Sequence, residues 1–435
     1  MMAQAAFPGD GRRIIGAVTG PSRSATDAAE PAARGPVDVV GIGADGWAGL
    51  TARARELIAG ADVLVGSPRQ LDGVPEDAGP SVRQRIPLPS PLREGLPALL
   101  AALGERRAVV LASGDPLVYG IAATLIDLVG APRVRVHPTV SSVSLAAAQV
   151  GWPSDSFDVV RVSTSLAPVR RMLTPGRRVL VLSADDRTPL ELARLLTGGG
   201  HGRSTLTVLG DLGTPAQSRH DSTAERFAAA PPAVSRLNVV ALTVTGSGGW
   251  PTVGGLPDEA FEHDGQLTKR DARACALARL APAPGQLLWD VGAGAGSVAI
   301  EWSRTDPRCR AVAIERDPDR ADRIGRNAGA LGATGVRVVT GAAPAALAGL
   351  PAPDAVFIGG GAGAPGLLDT CWQALGPGGR LVVHAVTLET EALLVERQAR
   401  LGGELIRLSV ERVEPLGGFR GWVPARPVVQ WCVTR

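Results

Sequence analysis

The sequence is poor in the residues that build disulfides, metal centres and membrane spans. Its 435 residues contain five scattered histidines and four cysteines, at Cys275, Cys309, Cys371 and Cys432. None of these thiols has the Cys-x-x-Cys spacing, so we expect neither a disulfide framework nor a bound metal, and we expect a reducing, cytoplasmic setting. Every apolar stretch is interrupted before it reaches the ~18 residues of a membrane span, so we expect no membrane partner.

Lysine and aromatic residues are equally scarce. Lys269 is the single lysine, Tyr119 is the single tyrosine, and aromatic residues make up 3% of the chain. The net charge of +3 is spread along the sequence and forms no basic block. Nucleic-acid-binding proteins concentrate basic residues and add stacking aromatic side chains, so the sequence predicts no nucleic-acid partner.

Changes in composition divide the chain into four segments. Residues 1–36 are rich in Ala, Gly, Pro, Ser and Arg without an apolar core, which predicts a disordered leader and no secretory signal. Residues 37–245 alternate strand-like and helix-like patterns, and a Gly/Pro-rich linker follows at 246–257. A second α/β domain is predicted over residues 258–435.

This second domain shows the clearest alternation of strands and helices. Such alternation predicts a mostly parallel sheet with helices on both faces. The last two β-like runs have no helix between them, so we expect a late antiparallel strand. Strands are predicted at 287–291, 311–315, 336–340, 354–358 and 380–385, with further β-like runs near 405–411 and 427–433.

A glycine-rich loop, GAGAG at 292–296, directly follows the first of these strands. Glycine lets the backbone turn tightly and approach a ligand, and a helix starting near Ser297 would offer free N–H groups. A dinucleotide fingerprint needs a third glycine where Ser297 stands. The spacing therefore favours S-adenosylmethionine (SAM) over a pyrophosphate.

Positions after the next strands complete the expected site. Glu315 ends the second predicted strand, where a carboxylate can accept both ribose hydroxyls of an adenosine. Ala343 follows the third strand, where the adenine ring should lie. Gly360, in the glycine run after the fourth strand, would give a substrate close access to the backbone.

Two sets of motifs resemble two known families. The C-terminal set is QLTKRD at 266–271, VGAGAGS, Glu315, GAAPAAL, IGGGAG and GGFRGW at 417–422, and it resembles the decarboxylating precorrin-6Y (5,15)-methyltransferase family. The N-terminal set is VGIGADG at 40–46, ADVLVG, SGDP with Tyr119-Gly120, and PTVSS, and it resembles the tetrapyrrole (corrin/porphyrin) methylases.

The resemblance implies an α/β chain with a two-lobed tetrapyrrole methylase domain followed by a Rossmann-like class I methyltransferase domain. It implies two SAM sites, and methylation of a corrin-type macrocycle at C-5 and C-15 with loss of the C-12 acetate carboxylate, in cobalamin biosynthesis. It also suggests a homo-oligomer assembled through the C-terminal domain.

The resemblance also assigns site residues. The N-terminal SAM site would comprise Ala44, Ser113, Gly114, Asp115, Val118, Ser141, Ser142 and Gly213. The C-terminal SAM site would comprise Thr268, Gly292, Ala293, Gly294, Ala295, Gly296, Glu315 and Ala343. Lys269 is the candidate catalytic residue, and the expected substrate contacts are Arg270, Gly360 and Arg420.

Three departures from the family patterns stand out. Ala44 replaces a common proline, residues 163–165 read Ser-Thr-Ser in place of His-Gly-Arg, and Ala342 replaces an aspartate. Adenine recognition in the C-terminal site would then rely on backbone groups. Other hypotheses are a methyltransferase for RNA or another small molecule, a nucleotide-binding oxidoreductase, and a scaffold that has lost one site.

Overall fold

A computed structural model describes residues 36–79, 82 and 84–435. The predicted leader at 1–36 lies outside the described residues, apart from Pro36. Within the described part of the chain, no helix is long and apolar enough to cross a membrane.

The first sheet is entirely parallel, with the order β3-β2-β4-β1-β5. Its strands are β1 Val37–Ile42, β2 Val63–Gly66, β3 Gln84–Pro87, β4 Ala108–Ser113 and β5 Val134–His137. Its helices are α1 Ala52–Ala59, α2 Pro68–Asp72, α3 Leu92–Leu103 and α4 Ile121–Val129, whereas α5 Ser142–Val150 follows β5 and packs against the second sheet. Because both faces are covered, the central strands are almost continuously apolar.

The second sheet is mixed, with the order β6-β7-β10-β8-β9. Its strands are β6 Asp158–Arg161, β7 Arg178–Leu182, β8 Thr205–Gly210, β9 Ser218–Thr223 and β10 Asn238–Thr243. The helices α6 Ala167–Arg170, α7 Thr188–Gly198 and α8 Ala224–Ala229 belong to this lobe. Only β6 and β7 pair in parallel. The residues of the predicted linker, 246–257, contain no helix or strand.

The third sheet has seven strands. They are β11 Leu287–Val291, β12 Arg310–Glu315, β13 Val336–Thr340, β14 Ala355–Ile358, β15 Arg380–Ala385, β16 Glu404–Leu408 and β19 Val428–Thr434. A separate hairpin comprises β17 Glu411–Leu416 and β18 Phe419–Pro424. The helices are α9 Arg270–Leu280, α10 Ser297–Thr305, α11 Pro318–Leu331, α12 Leu367–Ala374 and α13 Leu388–Leu401.

The strand order β13-β12-β11-β14-β15-β19-β16 confirms the Rossmann-like expectation. The order reverses between β11 and β14, and ligands of open α/β sheets bind outside the carboxyl ends of strands at such a point. Alternate side chains of β11 face opposite layers: Trp289 belongs to the apolar cluster with Leu367 and Leu394, and Leu288 to the cluster with Leu277 and Trp302.

The expected strands at the end of the chain are present, together with a hairpin that was not expected. The two predicted β-like runs are β16 and β19, and β19 is antiparallel to both β15 and β16. The intervening hairpin of β17 and β18 was missed, because Pro415, Gly421 and Pro424 interrupt the pattern that indicates a strand.

Candidate cofactor and substrate sites

The glycine turn after β11 forms one wall of a cavity of about 800 Å³. Gly292, Gly294 and Gly296 have φ values of +69°, +58° and +77°. A Cβ atom would lie 2.8 Å from the Gly360 oxygen at the first position and 2.7 Å from the Gln266 oxygen at the second. The turn therefore requires glycine for its backbone angles and for its close packing.

The five loop residues do not contribute equally to this cavity. Gly292, Ala293 and Gly294 line it, whereas Ala295 and Gly296 are buried behind it. A Cβ atom on Gly296 would lie 2.6 Å from Cγ2 of Ile324 in α11. Ala295 and Gly296 thus shape the turn and pack the helix layer, and they do not face the expected cofactor.

Glu315 lines the cavity at the carboxyl end of β12. Its Oε2 accepts a hydrogen bond from the Gly294 N–H at 2.8 Å, and its Oε1 accepts one from the Asp317 N–H at 3.1 Å. Each carboxylate oxygen can accept a further bond. The side chain is therefore fixed while still able to accept two hydroxyl groups, as a ribose would require.

The remaining predicted residues of this cavity fall into two sets. Thr268, Lys269, Ala343 and Gly360 line it, as does Ala342. Arg270 and Arg420 do not line it. Lys269 Nζ lies 3.7 Å from Asp258 Oδ2, and about half of its side chain is exposed.

Several polar residues at this cavity were not predicted. Arg316, Arg412 and Arg426 line it, and Arg412 pairs with Asp271 at 2.6 Å. Arg412 and Arg426 lie at the base of the hairpin that the sequence pattern missed, so no signal marked them.

His384 is a further unpredicted residue of the same cavity. It lies near the end of β15 and contacts Gln430 Oε1 through Nε2 at 2.9 Å. Its ring meets Phe357 edge-on with a centroid distance of 4.9 Å. Burial lowers the pKa of His384, so the neutral imidazole is favoured.

A second cavity, of about 440 Å³, lies between the first two sheets. From the first lobe it is lined by the ends of β1 and β4 and the start of α5, and from the second by Leu182, Ser183 and Asn238. Of the predicted residues, Ala44, Ser113, Gly114, Val118 and Ser142 line this cavity.

Three predicted residues of the N-terminal site do not line it. Asp115 Oδ1 accepts a hydrogen bond from the Leu117 N–H at 2.9 Å, which stabilises a turn. Ser141 caps α5 by accepting from the Ser144 N–H at 3.1 Å. Gly213 has a φ of +84° and donates its N–H to Gln217 Oε1. Each has a local structural role that sequence motifs alone do not distinguish from ligand contact.

Tyr119 lines this cavity and connects the two lobes. Its Oη donates to the Val159 oxygen of β6 at 2.8 Å, and its φ of +53° is unusual for a bulky residue. On the second lobe, Ser183 Oγ and Asn238 Oδ1 are buried without a hydrogen-bond partner, and both residues line the cavity. Buried polar atoms of this kind fit a ligand that completes their hydrogen bonds. The altered segment at 163–165 is exposed and does not line the cavity.

Comparison with known families defines the class of protein first. The family described as tetrapyrrole (corrin/porphyrin) methylases matches residues 37–228, and the precorrin methyltransferase domain matches residues 259–435. The chain thus joins two methyltransferase units, in the order that the sequence motifs predicted.

Individual relatives narrow this class. A precorrin-6Y C(5,15)-methyltransferase (decarboxylating) from Sinorhizobium sp is 45% identical over 93% of this chain and 98% of the relative. The chain belongs to this family of precorrin-6Y C(5,15)-methyltransferases. The relatives do not favour the alternative of a methyltransferase for RNA or another small molecule.

Two shorter relatives, both from Salmonella typhimurium, carry names for single steps. The cobalt-precorrin-6B C(15)-methyltransferase (decarboxylating) is 33% identical over 37% of this chain and 85% of its own length. The cobalt-precorrin-7 C(5)-methyltransferase is 35% identical over 39% of this chain and 82% of its own length.

Proposed function

We propose that this chain methylates C-5 and C-15 of precorrin-6Y and removes the carboxylate of the C-12 acetate, in cobalamin biosynthesis. The observation that carries the proposal is the presence of two separate cavities on one chain. Each lies at the carboxyl ends of parallel strands beside a glycine with positive φ. The similarity to the Sinorhizobium relative along nearly the whole chain supports both sites together.

We infer that each cavity binds one SAM, which supplies an electrophilic methyl group when bound. In the C-terminal cavity, the turn at Gly292–Gly294 and the carboxylate of Glu315 fit an adenosine. In the N-terminal cavity, Ser113, Gly114 and the unpartnered Asn238 oxygen fit the same cofactor. The protein residues mainly hold the nucleophilic carbon in line with the methyl group and exclude water.

Each of the two cavities is proposed to carry out a different part of the reaction. We assign C-5 methylation to the N-terminal cavity, and C-15 methylation with decarboxylation to the C-terminal cavity. The names of the two shorter relatives separate these steps in the same way. Lys269 is positioned to contact an acid side chain of the substrate in the C-terminal cavity.

We also propose domains at 37–245 and 258–435 with a linker at 246–257.

Mass spectrometry of the reaction product tests the proposed function. The full chain is incubated with precorrin-6Y and SAM, and we expect two added methyl groups and one lost CO2. Methyl-labelled SAM identifies the source of both groups. A product without either change would refute the proposal, and omission of SAM provides the control.

We further propose a homo-oligomer in a reducing, cytoplasmic setting. The hairpin of β17 and β18 exposes Val413, Leu416, Phe419, Trp422 and Val423. A cluster of five exposed apolar side chains is typical of an interface between subunits. All four cysteines are free, which supports the reducing setting.

A further inference from the structure

The charged side chains that line the N-terminal cavity are both arginines. Arg69 follows β2 on the first lobe, and Arg161 ends β6 on the second. Among the described residues no aspartate or glutamate lines this cavity, and none forms an ion pair with Arg69 or Arg161. The cavity therefore carries two positive charges that no carboxylate within the described part of the chain neutralises.

Within the part of the chain that the structure describes, one side-chain hydrogen bond holds Arg69 beside the cavity. Its Nη2 donates to Ser113 Oγ at 2.9 Å. A guanidinium group has five N–H donors in a planar fork, and the described residues accept from one of them, so most of the fork is available to a ligand. An arginine with most of its donors free suits a carboxylate, which it can bind through two parallel hydrogen bonds.

The hydrogen bonds around Ser113 determine the direction of its hydroxyl proton. Gln70 Oε1 accepts from the Ser67 N–H at 2.8 Å, which fixes the orientation of the amide. Gln70 Nε2 therefore donates to Ser113 Oγ at 3.0 Å, and Arg69 donates to the same oxygen. With both lone pairs occupied, the Ser113 hydroxyl must donate its own proton to an acceptor.

Arg161 completes the arrangement from the opposite lobe. Its Nη1 donates to the Tyr119 oxygen at 3.1 Å, and the residues described here accept no other side-chain hydrogen bond from it. Tyr119 in turn bonds to Val159 of β6, so the position of Arg161 is coupled to the contact between the lobes. The two guanidinium groups thus reach one cavity from opposite lobes, Arg69 from α2 and Arg161 from the end of β6.

We propose that Arg69, oriented by its hydrogen bond to Ser113, and Arg161 on the facing lobe form a carboxylate-binding subsite of the N-terminal cavity. The favoured ligand is an acid side chain of the macrocycle, and the methionine carboxylate of SAM is the other source of the same chemistry. This inference rests on the proposed function for the identity of the substrate. It adds to the predicted substrate contacts, all of which lie in the C-terminal part of the chain.

The variants Arg69→Gln and Arg161→Gln test this subsite in the full-length chain. Charge-assisted hydrogen bonds of this kind correspond to about a 10- to 100-fold effect. We expect the KM of precorrin-6Y for C-5 methylation to rise by that factor while the Kd of SAM stays within about twofold. Arg69→Lys, which keeps the charge and loses the fork, should recover part of the loss. Arg93→Gln is the matched control, since Arg93 pairs with Asp127 on the surface.

The outcomes separate the two sources of carboxylate. A raised Kd for SAM with an unchanged KM would assign the subsite to the cofactor. If neither constant changes in either variant, the proposal is wrong. Circular dichroism and thermal melting confirm that each variant is folded.

Chemical protection gives a second measurement that needs no turnover. Phenylglyoxal labels accessible arginines, and peptide mapping reports each one separately. Uroporphyrin III, a tetrapyrrole with eight carboxylates, should protect Arg69 and Arg161 in the wild-type chain and leave Arg93 accessible. Labelling of both residues at the unprotected rate would overturn the proposal. Protection without conversion of precorrin-6Y would instead count against the proposed function alone.

Discussion

At Asp290, burial opposes the charge of the carboxylate. This residue lies in β11, immediately before the glycine turn, and is 1% exposed. Its Oδ2 accepts a hydrogen bond from the Ala299 N–H at 2.9 Å. Burial raises the pKa of Asp290 to about 7, opposed by this hydrogen bond and reinforced by the nearby charge of Glu315.

We predict that Asp290→Asn alters how stability depends on pH. The native carboxyl holds its proton up to about pH 7, whereas in the unfolded chain it ionises near the ordinary aspartate pKa of 3.8. Wild-type stability is therefore lost as pH rises through this window, and the asparagine variant lacks that loss. Measured by urea unfolding, the free energy of unfolding of the variant should rise by about 3 kcal/mol relative to that of wild type between pH 5 and pH 8.

A constant difference across this range would contradict the assignment. Asp306→Asn is the control, because the Arg308 side chain holds the pKa of Asp306 below its usual range. That carboxyl is ionised in both the folded and the unfolded state from pH 5 to pH 8. Its removal should therefore change the free energy of unfolding by the same amount at pH 5 and at pH 8.

At the scale of elements, the segment that joins the two halves is fixed by buried charges. Glu301 of α10 accepts hydrogen bonds from the Gly255 and Leu256 N–H groups and pairs with Arg273 of α9 at 2.6 Å. Arg273 also donates to the Thr268 and Leu256 oxygens. Arg304 of α10 donates to the Trp250 oxygen at 2.8 Å. The Gly/Pro-rich composition predicted only a connector. The contacts hold this connector against α10, the helix that follows the glycine turn, and Arg273 links it to Thr268 in the C-terminal cavity.

The hairpin of β17 and β18 is the element for which we predict an effect on assembly. Phe419 and Trp422 are 83% and 68% exposed. Replacement of both by serine should give a smaller assembly than wild type, because the apolar surface that would pack between subunits is removed. Light scattering coupled to size exclusion measures the mass, and an unchanged mass would exclude the hairpin as the interface. Leu388→Ser is the control, since Leu388 is 79% exposed on α13, outside the hairpin.

At the scale of the whole molecule, two cavities of different construction lie on one chain. One lies between two sheets, and the other at the switch point of a single sheet. Each depends on a glycine that tolerates no side chain. A Cβ atom on Gly114, with φ +56°, would lie 3.0 Å from the Ser141 Cα, and one on Gly294 would lie 2.7 Å from the Gln266 oxygen.

We therefore predict that valine at these two positions separates the reactions. Gly114→Val should abolish C-5 methylation and leave decarboxylation intact. Gly294→Val should abolish C-15 methylation and decarboxylation together and spare C-5. Product masses and NMR of the macrocycle distinguish the sites of methylation.

Continued decarboxylation in Gly294→Val would place that step outside the C-terminal cavity. Gly329→Val controls for valine in place of glycine, because nothing lies within 4 Å of a Cβ atom there. Gly329→Val should retain methylation at C-5, methylation at C-15 and decarboxylation.

The sequence by itself determined the features that depend on neighbours along the chain. Apolar runs gave the strands of the third sheet, and the spacing of Gly292, Gly294 and Gly296 gave the turn, because both are local constraints on backbone and burial. The placement of Glu315 at a strand end followed from the same reasoning. The family motifs then supplied the order of the two methyltransferase units.

Only the tertiary structure decided which side chains reach a cavity. The family resemblance assigned Asp115, Ser141 and Gly213 to the cofactor site, yet they stabilise a turn, cap a helix and shape a loop. Arg69 and Arg161 lie 92 positions apart and meet at one cavity because two sheets face each other. The direction of a side chain depends on packing between elements distant in sequence, and no local pattern encodes it.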